Sequence, residues 1–136
     1  MTMLGLLKEI AMKTLLLAAV LVTAGTAAAD VSIIDNNKTL TVDCSKDKSV
    51  SLIGNHITVT LTGTCTRVQV TGNHETVTGS ATTFWVAGNH NTVNADAADE
   101  INVAGNDNTL TWKKGLSKPQ PKISNPGKNN KVTQAK

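Results

Sequence analysis

The sequence predicts an all-β protein, a β-solenoid (β-helix) of about five coils followed by a degenerate C-terminal capping coil. Three observations carry this. Five stretches superpose, strand-like alternation flanks a shared turn in each, and the columns stay fixed from unit to unit. The stretches are "VSIIDNNKTLT" from 31, "VSLIGNHITVT" from 50, "VQVTGNHETVT" from 68, "FWVAGNHNTVN" from 84 and "INVAGNDNTLT" from 101. Their starts are 19, 18, 16 and 17 residues apart.

Each unit is numbered here from zero. Position 0 is Val31, Val50, Val68, Phe84 and Ile101; position 2 is Ile33, Leu52, Val70, Val86 and Val103. Position 9 is Leu40, Val59, Val77, Val93 and Leu110. Alternation with β-branched residues is the two-residue period of a strand. Between the strands lies Gly-Asn, replaced by Asp35-Asn36 in the first unit. Gly and Asn tolerate positive φ, so this reads as a turn. A hairpin would satisfy one unit alone, whereas fixed columns across five require stacking. The third side of each coil is small: Ala81, Ala95, Ala97 and the two cysteines.

Ahead of the repeats, Lys13 precedes an apolar run, "LLLAAVLV" at 15–22, and then "TAGTAAAD". With Ala27 and Ala29 as a small-x-small exit, 1–29 reads as a secretory signal peptide cut before Asp30. Met12 is an alternative start. The run falls short of the ~20 residues of a spanning helix, so no transmembrane segment is expected after processing. The expected location is exported, periplasmic or extracellular. Residues 30–112 then form the repeat domain.

The chain has no Tyr, one Phe and two Trp, so its core must be thin and built from Val, Ile and Leu. Its cysteines are Cys44 and Cys65. Export favours a disulfide, and closing a loop of about 20 residues is worth about 3 kcal/mol on the loop-entropy model. Free thiols and a metal-bound pair are the alternatives; the pair lacks Cys-x-x-Cys spacing.

Charge is uneven. Residues 30–112 hold four basic and nine acidic side chains, net −5, and 113–136 hold seven Lys and no acid, net +7. In "ISNPGKNNKVT", 123–133, Ile123, Gly127 and Val132 keep the repeat frame. We read 113–121 as a loop and 123–133 as a cap whose Lys and Pro blunt the final strand edge. A basic tail can also meet nucleic acid or anionic lipid. This one has no aromatic residue and no Arg, so nucleic acid is not an expected partner.

The repeated "V-x-V-x-G-N-x-x-T-V-T", the early Cys pair and the closing "PKISNPGKNNKVTQ" resemble the bacterial exported proteins of domain-of-unknown-function family 3060. The resemblance spans about 31–134. It implies an exported repeat domain and carries no catalytic residues or established activity.

Several columns bear chemistry. Position 6 reads Asn37, His56, His74, His90 and Asp107. In register, His56, His74, His90 and Asp107 form a ladder that could share zinc or copper; a polar turn column is the plainer reading. Such a column also repels itself once protonated. Position 5 is Asn36, Asn55, Asn73, Asn89 and Asn106, a structural turn ladder beside Gly54, Gly72, Gly88 and Gly105. Positions 8 and 10 form a Thr-x-Thr array that resembles ice-binding solenoids, although Thr is also an ordinary exposed strand residue. Trp85 stands where other units carry Ser32, Ser51, Gln69 and Asn102. It either stacks on a glycan or packs under a loop, the basic one included.

No enzyme is expected: Gly-x-Ser-x-Gly, a phosphate-cradling loop and His-Glu-x-x-His are absent. Asp99 and Glu100 could pair as acid and base, but read as solvated corner residues. No cofactor is called for. The expected role is structural or adhesive, with an envelope polymer or protein as partner class. The alternative is a ligand-binding module, using the His column for metal, Trp85 for glycan or the Thr face for ice.

Overall fold

In the computed structural model, residues 30–45 and 48–136 are described. Residues 1–29, read from the sequence as a signal peptide, lie outside them. No helix among the described residues is long and apolar enough to cross a membrane.

Among the described residues, ten strands wind into six stacked coils. They are β1 (Val31–Asn36), β2 (Thr39–Asp43), β3 (Ser49–Asn55), β4 (Thr58–Val70) and β5 (Thr76–Val86), then β6 (Thr92–Ala97), β7 (Glu100–Val103), β8 (Thr109–Lys114), β9 (Lys122–Ser124) and β10 (Lys131–Gln134). Every strand pairing is parallel. One sheet column stacks β1, β3, β4, β5, β7 and β9, and aligns Val31, Val50, Val68, Phe84, Ile101 and Ile123. The second stacks β2, β4, β5, β6, β8 and β10, and aligns Leu40, Val59, Val77, Val93, Leu110 and Val132. The repeat frame read from sequence is therefore the pairing register. Coil 6 keeps it, and β8 runs past Trp112 to Lys114, so the loop proper is 115–121.

The core is one side chain thick. Val50, Val68, Phe84 and Ile101 are buried, as are Leu52, Val70, Val86 and Val103. Each fully buried aliphatic side chain contributes about 1.5–3 kcal/mol of transfer free energy. Trp112, also buried, follows Gly79 and Ala95 in a third inward column. Small residues above it leave room for its indole at the C-terminal end.

Coil lengths differ because the third side absorbs the difference. Register shifts fall between Thr60 and Thr64 and between Gly79 and Ser80, and nowhere in the turn. On that side Cys44 and Cys65 form a disulfide with Cα atoms 4.8 Å apart, one coil step, which clips coil 1 to coil 2.

Candidate functional site

The turn has first claim, because it gathers the Gly, Asn and His columns. Its left-handed residue is position 6, not Gly-Asn as the sequence suggested. Asn37, His56, His74, His90, Asp107 and Asn129 all have φ between 55° and 58°. Asn, Asp and His are the non-glycine residues enriched in that region, so backbone conformation explains the composition of the column. The peptide there bonds the next coil: His56 N donates to Asn73 O (3.1 Å) and His90 N to Asn106 O (3.1 Å).

Glycine at position 4 answers a different need. A Cβ on Gly88 would collide with the carbonyl oxygen of Gly72, and one on Gly105 with that of Gly88. The requirement is close approach between coils. Asp35 escapes it because, among the described residues, no coil precedes the first.

The asparagines of position 5 form the expected ladder. Asn73 Nδ2 donates to Asn55 Oδ1 and Asn89 Nδ2 to Asn73 Oδ1, both at 3.2 Å. A second ladder lies inside. The left-handed residue turns position 7 inward, burying Ile57, Glu75, Asn91 and Asn108. Asn91 Oδ1 accepts from Glu75 N (2.9 Å) while its Nδ2 donates to Gly72 O (2.9 Å). Asn108 does the same with Asn91 N and Gly88 O, and Asn130 with Asn108 N and Gly105 O. Buried amides used at both ends cost little.

The ladder stops at Glu75. Its two carboxylate oxygens are buried with no hydrogen-bond partner among the described residues. Burial pushes its pKa up to about 7. Sequence reasoning missed this column; the recurrence of Asn91, Asn108 and Asn130 was its only signal.

The imidazoles of His56, His74 and His90 stack, with centroids 5.0 and 5.1 Å apart and planes within 8°. His90 Nε2 lies 3.9 Å from Asp107 Oδ2. Parallel stacked rings aim their nitrogen lone pairs side by side rather than at one point. Among the described residues no group of three or more His, Cys, Asp or Glu is placed to hold a metal.

On the second column's face, Asn94 interrupts the threonines. Its side chain accepts from Thr111 Oγ1 (3.1 Å) and donates to Thr78 Oγ1 (3.5 Å), tying hydroxyls together that a flat ice-binding array would present outward.

Asp99 is not solvated, contrary to the reading from sequence. It is buried, and its carboxylate accepts from the backbone of Leu116 (2.9 Å) and Ser117 (2.8 Å) and from Ser117 Oγ (2.6 Å). The Ser117 hydroxyl, followed by these backbone donors, holds its pKa below the usual carboxylate value against the opposing effect of burial. Asp99 thus anchors the loop and is not free to act as acid or base, while Glu100 is exposed.

That leaves the outward face of the first column. Trp85 lies half-buried in register with Gln69 on one side and Asn102 on the other. The Arg67 guanidinium sits over its ring, 5.5 Å from the centroid, a cation–π contact. A shallow groove of about 310 Å³ is lined by Arg67, Thr83, Trp85, Glu100 and Asn102. No residue of the 115–121 loop lines it. A neighbouring groove of about 230 Å³ shares Arg67 and adds Ser49, Ser51, Gln69 and Asp30 among its walls. Arg67 escaped the sequence reading because it precedes position 0 by one residue.

Fold and columns define a short, disulfide-clipped parallel β-solenoid with one irregular outward face. Residues 73–129 match the family model described as Protein of unknown function (DUF3060), the family that the repeats resemble. No curated protein and no solved structure matches the chain.

Proposed function

We propose that the chain is an exported structural or adhesive solenoid of the cell envelope or exterior that holds a polysaccharide on the outward face of its first sheet column. One observation carries the reading: Trp85 is the large aromatic in a column of small polar side chains, flanked by Gln69 and Asn102 and bordered by open grooves. An amphipathic ring on a polar sheet suits the apolar face of a sugar, with side-chain amides at hydrogen-bonding range of its hydroxyls. Shallow grooves fit a chain lying along the surface better than an enclosed small molecule. The Cys44–Cys65 disulfide fits an oxidising compartment, as does the leader-like N-terminal sequence.

Co-sedimentation with insoluble cell-wall polysaccharide tests this. Wild type should pellet with the polymer, and Trp85→Ala should stay in the supernatant with an unchanged melting temperature. A variant that pellets like wild type contradicts the reading.

A further inference from the structure

We infer that the Trp85 face selects an acidic saccharide, a carboxylated pyranose such as a uronate, and that Arg67 is the selecting residue. The inference rests on the polysaccharide reading above and adds the ligand's charge.

In the free protein the guanidinium of Arg67 occupies the ring face that a sugar would use. A neutral sugar must displace it and forfeit the cation–π attraction without replacement. A carboxylated sugar compensates, because the planar guanidinium can swing off the ring and pair with the carboxylate through two parallel hydrogen bonds. Ring uncovering and ligand capture then become one event.

The surroundings are consistent with a single anchored anion and not with a general polyanion site. Along the column that contains Arg67, the aligned residues are Ser49, Thr83, Glu100 and Lys122. Glu100 is held by Asn102 Nδ2 at 3.0 Å and pairs in register with Lys122. Asp30 closes the far groove. Among the described residues Arg67 is the one cation lining these two grooves, with the carboxylates of Asp30 and Glu100 at their walls, favouring one negative group at one place. The coil rise is ~4.8 Å, close to the repeat of an extended chain of pyranose rings. A chain along the solenoid axis would meet Gln69, Trp85 and Asn102 on successive sugars.

The test is a titration of the wild-type protein with an oligogalacturonate, an uncharged oligosaccharide of equal length and inorganic polyphosphate. Tryptophan emission and calorimetry are the readouts. Trp112 is buried and supplies a constant background. The oligogalacturonate should bind at least about tenfold more tightly than the neutral oligomer and alter Trp85 emission. Arg67→Gln should erase that preference with the melting temperature unchanged. Equal binding of acidic and neutral oligomers would overturn the charge selection and leave the polysaccharide reading standing. Polyphosphate binding as tightly as the uronate would overturn it in favour of charge alone. No binding of either saccharide, together with Trp85→Ala still pelleting on cell-wall polymer, would remove both.

Discussion

The turn of each coil and the outward face of its first strand come from one repeat, yet they vary in opposite ways. In the turn, Gly, Asn and the left-handed residue recur coil after coil, and each has an internal duty. Position 4 makes room for the neighbouring coil, position 5 bonds along the stack, and position 6 supplies positive φ. On the face, the aligned residues are Ser51, Gln69, Trp85 and Asn102, which share no backbone duty. Where a column is uniform, geometry consumes it. Where it departs, the side chain is free for a partner. Substitutions in the turn should therefore move stability and spare binding, and substitutions on the face should do the reverse.

The largest effect is expected at Gly88. Gly88→Ala drives a methyl into the Gly72 carbonyl and should destabilise by about 3 kcal/mol or more, measured by urea unfolding. A cost under about 1 kcal/mol would mean that the coils can separate locally.

Glu75 comes next and gives the turn a pH dependence. Its folded pKa is raised from 4.5 to about 7, so its contribution is fully present below about 4.5 and is lost as pH rises through about 7. Glu75→Gln removes the ionisation. The variant should match wild type near pH 4 and exceed it by about 3 kcal/mol above pH 8. Parallel stability–pH curves for the two proteins would show that Glu75 finds a partner when ionised.

The His column should respond to backbone preference rather than to loss of a ligand. His74→Val places a β-branched residue at φ 57° and should cost about 1–2 kcal/mol, whereas His74→Asn should stay within about 0.5 kcal/mol. Thermal melts with and without zinc check this. A zinc-dependent rise in the wild-type melting temperature that His74→Asn abolishes would restore the metal reading.

Most of the fold was legible because solenoid pairing copies the sequence repeat. Val50 above Val68 and Val59 above Val77 are neighbours in register for the same reason that they superpose in the alignment of units. The inward asparagines were hidden because simple alternation continued from position 5 would send position 7 outward; the positive φ at position 6 overrides it. Asp99 was misread because its donors come from 116–118, outside the repeat. At Trp85 the sequence signalled an exception. Its company came only with Arg67, a cross-coil diagonal that no local pattern contains.

The most direct test sets the face against the turn in one experiment: polysaccharide binding and unfolding free energy measured for Trp85→Ala and His74→Val side by side. Trp85→Ala should lose binding with stability within about 0.5 kcal/mol of wild type, and His74→Val should lose stability while the folded fraction binds normally. Undiminished binding by Trp85→Ala, or loss of binding by folded His74→Val, would contradict the assignment of function to the face.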